Sequence, residues 1–234
     1  MADPRWTAED WGARRDPDAF IRANTTIEST VLVPELKLHQ ASTLVPLWEA
    51  SEAELERQGV PPPYWAFAWA GGQALARYLL DHPALVAGKR VLDFGAGSGL
   101  QGLAAKLAGA ASVLSVDIDP IACAAIRLNA AVNGLAIETS EEDWIGRDNP
   151  GWDVILAGDV CYEKPMAGRV EAWLRRLAGP TEPNGGTLVL VGDPGRTYFP
   201  RQGMERITGY AVKTTREIED TDLRNAVVWR LLPG

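Results

Sequence analysis

The chain has 234 residues, 46% of them hydrophobic, which is enough for one α/β core with a small appendage. Its two cysteines, Cys123 and Cys161, give neither a disulfide framework nor a metal-binding spacing, so we expect no metal site and a reducing, cytoplasmic location. A net charge of −8 argues against a nucleic-acid partner, and the lack of a long apolar stretch argues against a membrane span.

The first 63 residues are predicted to form an N-terminal extension. We expect a short helix near Asp18–Ala23 and a strand in "ELKLHQ", where Lys37 and His39 lie on the face opposite two leucines. A second helix is predicted over Pro46–Arg57, and "GVPPP" then makes a stiff extended connector. Residues 1–60 carry eleven acidic and six basic side chains, which is typical of a solvated face and also suits docking to a basic partner.

Residues 64–234 alternate strands with helices. The strand-like runs are "KRVLDF", "SVLSV", "WDVILAGD", "GTLVLVGD", "YAVKTTREI" and "NAVVWRLL". Apolar residues repeat at helical spacing between these runs, and Asp119, followed by Pro120, is expected to cap one of the helices. This alternation predicts a parallel sheet with helices on both faces, and the two consecutive closing strands predict an antiparallel hairpin at one edge.

The stretch "VLDFGAGSGLQG" carries the clearest functional signal. It contains the G-x-G-x-x-G pattern typical of dinucleotide binding, whose glycines let a ligand approach the backbone. Asp93 stands directly before the glycines, where a carboxylate would repel a pyrophosphate but attract the positive end of S-adenosylmethionine. Asp117 ends the next strand and can accept both ribose hydroxyls in either cofactor. Asp93 therefore favours a methyl donor, with a ligand-free tight turn as the structural alternative.

Several motifs carry a family resemblance. "VLDFGAGSG", "SVDIDP" and "GDVCYE" resemble the seven-stranded, S-adenosylmethionine-dependent methyltransferases, in particular the protein lysine methyltransferases with an Asp-x-x-Tyr motif. "YWAFAWAGGQALARYLLDHP", "DIDPIA" and "VGDPGR" are similar to the lysine methyltransferases of the electron transfer flavoprotein β subunit. The likeness runs from about Thr26 to Trp229. It implies a Rossmann-like seven-stranded sheet, S-adenosylmethionine as cofactor with S-adenosylhomocysteine as product, and a protein lysine as acceptor.

The resemblance also assigns roles to residues. Asp159 and Tyr162 match the two motif positions and are predicted to be catalytic, with Asp159 accepting a hydrogen bond from the lysine nitrogen. Cys161 occupies the third motif position, which is often aromatic in the family. The N-terminal extension is expected to act as a cofactor lid or substrate-docking segment of a monomer. The predicted cofactor-binding residues are Trp69, Asp93, Gly95, Ala96, Gly97, Asp117, Ile118, Asp143, Trp144 and Gly158.

Structural roles compete with these assignments. Trp69 and Trp144 could be ordinary core aromatics, and Tyr162 could serve packing alone. We interpret Cys161 as a buried apolar residue, because both histidines lie in other segments. Three other functions stay open: methylation of a ribosomal protein or a small amine, NAD-dependent oxidoreduction, and a non-catalytic interaction module.

Overall fold

The computed structural model describes residues 16–41, 62–178, 186–214 and 221–233. Its strands are β1 (Thr26–Glu28), β2 (Leu38–Gln40), β3 (Arg90–Phe94), β4 (Ser112–Val116), β5 (Glu138–Ser140), β6 (Val154–Gly158), β7 (Leu188–Asp193), β8 (Met204–Lys213) and β9 (Leu223–Leu231). Its helices are α1 (Pro17–Asn24), α2 (Ala70–Asp81), α3 (Leu100–Leu107), α4 (Pro120–Val132) and α5 (Met166–Leu177), with 3₁₀ turns at Tyr64–Ala66 and Pro83–Leu85.

A seven-stranded sheet forms the centre, in the order β5-β4-β3-β6-β7-β9-β8. Strands β3 to β7 pair in parallel, whereas β9 is antiparallel to both β7 and β8. The predicted seven-stranded sheet with a C-terminal antiparallel hairpin is confirmed. All five parallel strands end at the same edge of the sheet, and this edge is where open α/β sheets bind ligands.

Helices cover both faces of the sheet because side chains alternate along each strand. In β6, Leu156 packs in one cluster with Leu75 of α2, and its neighbour Ile155 packs in another with Trp173 of α5. None of the helices in the described ranges is long and apolar enough to cross a membrane.

The described part of the N-terminal extension packs beside the main sheet. Strands β1 and β2 form a separate antiparallel pair, and Ile21 of α1 shares a buried cluster with Ile121 of α4. The His39 N–H donates to Asn129 Oδ1 at 2.7 Å, while Asn129 Nδ2 donates to the Ser98 carbonyl at 2.8 Å. One buried asparagine therefore joins the extension to the glycine loop after β3.

Some local predictions need correction. Strand β5 was missed because it is a short, polar edge strand with no apolar run. In "ELKLHQ" only the last three residues form a strand, and His39 is buried at 3% exposure, with Nδ1 2.9 Å from the Thr25 hydroxyl oxygen. Strand β8 begins at Met204, six residues before the predicted run. The helix predicted over Pro46–Arg57 lies outside the described residues.

Two predictions about helices are confirmed. Helix α1 spans Pro17–Asn24, one residue wider at each end than predicted. Asp119 caps α4, because its Oδ1 accepts a hydrogen bond from the Ile121 N–H at 2.8 Å and proline follows at the first helical position.

Candidate active site

The loop between β3 and α3 contains the glycines of the predicted cofactor site. Gly95 and Gly97 have φ values of +61° and +51°, a conformation that other residues rarely adopt. A Cβ at Gly95 would lie 2.9 Å from Val160 Cγ1, whereas a Cβ at Gly97 would meet no atom within 4 Å. The Ala96 N–H donates to the Val116 carbonyl at 3.1 Å. The loop is therefore fixed on its inner side and open beside Gly97.

Asp93 lies beneath this loop. Its side chain is fully buried, and Oδ2 accepts hydrogen bonds from the Gly102 N–H at 3.1 Å and the Ser115 hydroxyl at 2.9 Å. Burial raises the pKa of the Asp93 carboxyl to about 6, against the opposing effect of hydrogen bonds from Gln101, Ser115 and Gly102. This geometry gives Asp93 the role of fixing the start of α3. Any attraction for a cofactor would have to act through the protein interior.

Asp117 follows β4, and its carboxylate reaches the glycine loop. Oδ2 accepts a hydrogen bond from the Gly97 N–H at 2.9 Å, and Oδ1 accepts one from the Asp119 N–H at 3.0 Å. Burial raises the pKa of Asp117, and these two N–H donors partly oppose the shift. Each carboxylate oxygen can accept a further hydrogen bond. Ile118, the next residue, is 71% exposed, so an acceptor and an apolar surface stand side by side.

Asp143 and Trp144 lie on the segment after β5. The Trp144 ring packs against Trp152 with centroids 6.2 Å apart, and the Arg147 guanidinium lies 5.1 Å from its centroid. Asp143 pairs with Arg169 at 3.4 Å, with both side chains more than half exposed. In the residues that the structure describes, these contacts do not join Asp143 or Trp144 to the glycine loop, and their cofactor roles stay predictions.

A narrow cleft lies between the glycine loop, the start of α2 and the end of β6. Its lining includes six of the predicted site residues, namely Trp69, Gly95, Ala96, Gly97, Gly158 and Asp159. These residues come from three segments that are far apart in the chain, and the sheet brings them together because β3 and β6 are parallel neighbours. The cleft joins the predicted cofactor side to the predicted acceptor side.

Glycines let the start of α2 press against the ends of β6 and β7. A Cβ at Gly71 would lie 2.3 Å from the Gly192 carbonyl oxygen and 2.5 Å from Asp159 Oδ2. A Cβ at Gly158 would lie 2.9 Å from Gly72 Cα. This backbone contact delivers the first N–H groups of α2 to the end of β6. Sequence reasoning missed it, although the pair "GG" in "WAGGQA" was a visible signal.

Asp159 follows β6 in a left-handed backbone conformation, with φ of +57°, which is strained for a residue other than glycine. Its N–H donates to the Gly192 carbonyl at 2.9 Å. Oδ2 accepts a hydrogen bond from the Gly72 N–H at 3.1 Å, while Oδ1 accepts from Arg196 Nε at 3.1 Å and Nη2 at 2.8 Å. The acid of the Asp-x-x-Tyr motif is therefore one member of an ion pair.

Arg196 is the functional candidate that the sequence analysis overlooked. Its guanidinium carbon lies 5.6 Å from the Trp69 ring centroid, and its own N–H donates to Asp193 Oδ1 at 2.9 Å. Asp193 also accepts from the Gly195 N–H at 2.6 Å, which fixes the loop after β7. Burial raises the pKa of Asp193, against the N–H donors and the charge of Arg196. The motif "VGDPGR" marked this loop, but nothing local showed where the arginine points.

Four aromatic residues lie along the predicted acceptor end, and we call Tyr64, Phe67, Trp69 and Tyr162 the aromatic wall. Ring centroids lie 5.3 Å apart for Tyr64 and Tyr162, and 5.9 Å apart for Tyr64 and Trp69 and for Phe67 and Trp69. Tyr162 is 41% exposed, and desolvation, followed by Tyr64 and Glu163, raises the pKa of its phenol. The phenol is therefore neutral at physiological pH.

Cys161 directly precedes Tyr162, is 4% exposed and belongs to the buried cluster that contains Trp173. Burial raises the pKa of its thiol to about 12, so it is not a nucleophile at neutral pH. The interpretation of Cys161 as a buried apolar residue is confirmed. Within the four described ranges, no group of three His, Cys, Asp or Glu side chains is placed to hold a metal ion.

The fold and this cleft together define a class of protein. A mixed seven-stranded sheet of this order, with a glycine loop after β3 and a carboxylate after β4, is that of the Rossmann-like methyltransferases. The ribosomal protein L11 methyltransferase (PrmA) family matches residues 74–158, which hold the glycine loop and Asp117. A solved ribosomal protein L11 methylase from Lactobacillus delbrueckii subsp. bulgaricus aligns with 68% of this chain and 78% of its own, at 20% identity and a TM-score of 0.46.

Curated relatives resemble nearly the whole chain. The electron transfer flavoprotein beta subunit lysine methyltransferase of Danio rerio is 38% identical over 225 residues, which are 94% of this chain and 84% of that protein. Its Xenopus laevis counterpart is 38% identical over 222 residues, which are 93% of this chain and 87% of that protein. The chain belongs to the family of electron transfer flavoprotein beta subunit lysine methyltransferases, and it is a methyltransferase.

Proposed function

We propose that this enzyme binds S-adenosylmethionine at the carboxyl ends of β3 and β4 and methylates a lysine of the electron transfer flavoprotein β subunit. Asp159 and Tyr162 would act on the acceptor. The observation that carries the proposal is the single cleft lined both by the glycine loop and by Asp159. The names of relatives that resemble 94% and 93% of the chain support the choice of substrate.

The residues at the glycine loop fit S-adenosylmethionine. The open space beside Gly97 allows a ligand to approach the backbone, and Asp117 offers a charged acceptor for ribose hydroxyls. The exposed side chain of Ile118 offers an apolar surface to a flat base. When bound, S-adenosylmethionine supplies a methyl group already activated by a positively charged sulfur. Asp143 and Trp144 remain candidates for the adenine end.

The acceptor end fits a lysine side chain. The aromatic wall offers ring faces to an aliphatic chain that ends in a cation. Asp159 would accept a hydrogen bond from the lysine nitrogen and so direct the nitrogen lone pair towards the methyl group. The neutral Tyr162 hydroxyl would orient the amine from the other side. Positioning accounts for most of the catalysis in this scheme, because the methyl donor is activated beforehand.

A ribosomal protein is the alternative acceptor. The match to the L11 methyltransferase family supports it, but that match ends at residue 158, directly before Asp159. The match therefore concerns the cofactor half of the cleft. Support for the acceptor half comes from the relatives that resemble nearly all of the chain. Ribosomal protein L11 is the appropriate comparison substrate in an assay.

We propose that residues 1–63 form an extension that covers the cofactor or docks the substrate, and that residues 64–234 form the methyltransferase domain. The separate β1–β2 pair supports a distinct extension, and the Asn129 link supports its place beside the glycine loop. The excess of acidic residues in the extension suits a basic partner surface. We expect the enzyme to be a cytoplasmic monomer that binds neither nucleic acid nor a membrane.

The test is methyl transfer from labelled S-adenosylmethionine to purified electron transfer flavoprotein β subunit, with ribosomal protein L11 in parallel. We expect label on lysine of the flavoprotein subunit, located by mass spectrometry of its peptides. Calorimetry should show binding of S-adenosylmethionine or S-adenosylhomocysteine and no binding of NAD. Label on L11 with none on the flavoprotein subunit would overturn the proposed substrate, and binding of NAD alone would overturn the proposed cofactor.

A further inference from the structure

Arg196 places a permanent positive charge at the acceptor end of the cleft. The proposed reaction, on which this inference rests, already brings two cations together there, the sulfonium of the donor and the ammonium of the lysine. This third cation is paired with Asp159, so it lowers the attraction of that carboxylate for the substrate ammonium. Arg196 can therefore influence the protonation of the acceptor.

The guanidinium is fixed before any substrate arrives. It donates two hydrogen bonds to Asp159 Oδ1 and lies over the Trp69 ring. The backbone of Arg196 is held as well, because Asp193 accepts hydrogen bonds from the N–H groups of Gly195 and Arg196. The Arg196 and Asp159 side chains are 20% and 9% exposed. Charges so far withdrawn from water act on their neighbours with less screening than surface charges.

The charge of Arg196 bears on the protonation of the acceptor. A lysine ammonium, with an ordinary pKa of about 10.4, has no lone pair with which to attack. A lone carboxylate beside it would favour the ammonium and so oppose the reaction. An arginine on the same carboxylate offsets that attraction, while a carboxylate can still accept a hydrogen bond from a neutral amine.

We propose that Arg196 is a positioning residue for methyl transfer, which holds Asp159 in place and by its charge drives the bound lysine to its neutral form. The lysine releases its proton to water before the attack. The nitrogen lone pair then forms the new N–C bond while the C–S bond breaks and its electron pair remains on sulfur. The product is an alkylated ammonium, with a neutral thioether as leaving group.

Two titratable side chains near the pair, Cys161 and Tyr162, do not account for a change of protonation at alkaline pH. Burial raises the pKa of the Cys161 thiol to about 12, and the pKa of the Tyr162 phenol is raised as well. Both stay neutral while a lysine titrates. In the described part of the chain, the other charged or titratable groups that act on the pair or on the side chains beside it are Asp193, Arg201, Glu163, Glu171, Tyr64 and Asp117.

The test compares kcat between pH 6 and pH 10.5 for the parent, Arg196→Gln and Arg196→Lys, because the pH dependence of kcat reports ionisations in the bound complex. The acceptor is whichever protein the parent methylates, so the identity of the substrate and the role of Arg196 are separate results. Arg196→Gln should shift the acidic limb of the kcat–pH profile to higher pH by about one unit or more. It should also lower kcat at pH 7 by about tenfold or more. Most of this loss should be recovered at high pH.

Two controls sharpen the result. Arg196→Lys keeps the charge and should keep the acidic limb within a few tenths of a pH unit of the parent. Arg206→Gln removes the same charge from an exposed side chain of β8 and should leave the profile unchanged. If kcat of Arg196→Gln fell by the same factor at every pH and the acidic limb of the profile did not shift, Arg196 would have only a structural role. That result would overturn the proposal.

A second measurement needs no turnover and no variant of the enzyme. Calorimetry at pH 8 in buffers of different ionisation enthalpy counts the protons released when the parent, loaded with the unreactive cationic analogue sinefungin, binds the acceptor protein. We expect release of close to one proton, which should disappear when the target lysine is replaced by methionine. Binding without proton release would show that lysine enters as the ammonium and would overturn the proposal.

Discussion

The two ends of the cleft satisfy their carboxylates by different means. At the cofactor end, Asp93 and Asp117 accept hydrogen bonds from backbone N–H groups and a serine hydroxyl, which are neutral. At the acceptor end, Asp159 accepts from the charged Arg196. Neutral donors leave the acidic charge in place, whereas a guanidinium opposes it. On the proposed assignment, the cofactor end would attract a cation, while the acceptor end would hold an amine without favouring its charged form.

The largest effect should follow from removing the charge of Asp159. Asp159→Asn keeps the shape and an acceptor oxygen, and asparagine tolerates the left-handed conformation at this position. We expect methylation to fall by about 10² or more, the scale seen when a positioned polar group is lost from a reacting centre. Affinity for S-adenosylhomocysteine, measured by calorimetry, should stay within a few fold of the parent.

The control for this variant is Asp148→Asn, which neutralises a carboxylate that is 95% exposed. It should leave both rate and affinity unchanged. Because Asp159→Asn removes one partner of a nearly buried ion pair, thermal melting must first show a folded protein. Parental methylation by a folded Asp159→Asn would mean that the charge at the acceptor end is dispensable and that the contrast between the two ends has no chemical meaning.

Asp117→Ala tests the cofactor end. Hydrogen bonds to charged groups are worth about 1.5–3 kcal/mol, so loss of the carboxylate should weaken S-adenosylmethionine binding by about tenfold to a hundredfold. Stability without ligand should also fall, because Gly97 and Asp119 lose the acceptor of their N–H groups. Calorimetry and melting separate the two effects. An unchanged dissociation constant would remove Asp117 from the site.

Gly71→Ala tests the contact that joins α2 to the acceptor end. The new methyl group would lie 2.3 Å from the Gly192 carbonyl oxygen and 2.5 Å from Asp159 Oδ2, so α2 must move. We expect a loss of about 1–3 kcal/mol in the free energy of unfolding, together with weaker methylation. Gly168→Ala is the matched control in α5, where a Cβ meets nothing within 4 Å and should stabilise the helix by about 0.5–1 kcal/mol. If denaturant unfolding showed that both variants change the free energy of unfolding in the same direction, this view would be wrong.

The same contrast explains what sequence could predict. The glycine loop and Asp117 belong to contiguous motifs, and the hydrogen bond between Gly97 and Asp117 spans only 20 residues, so local patterns identify them. Asp159 was predicted from its motif, but its partners Gly72 and Arg196 lie 87 and 37 residues away, and only the folded sheet brings them together. Periodicity likewise predicted the buried central strands and missed β5, which lies at the polar edge of the sheet.

The smallest expected effect is the pH dependence of stability that Asp93 causes. Its neutral hydrogen-bond donors do not fully offset the effect of burial on its pKa. Its pKa is raised from 3.8 to about 6 in the folded protein, so folding favours the protonated acid. The resulting stability is fully present below about pH 4 and is lost as pH rises through about 6. Asp93→Asn cannot titrate, so between pH 5 and pH 8 the parent should lose roughly 1.4 kcal/mol more than the variant. Free energies of unfolding in denaturant, measured for both proteins at the two pH values, check this difference.

Only the difference between the two pH values is informative, because the amide of Asp93→Asn adds a buried donor where Oδ1 has no described hydrogen-bond partner. Parallel pH profiles would mean that Asp93 stays ionised in the fold, and the cofactor end would then be more acidic than its geometry indicates.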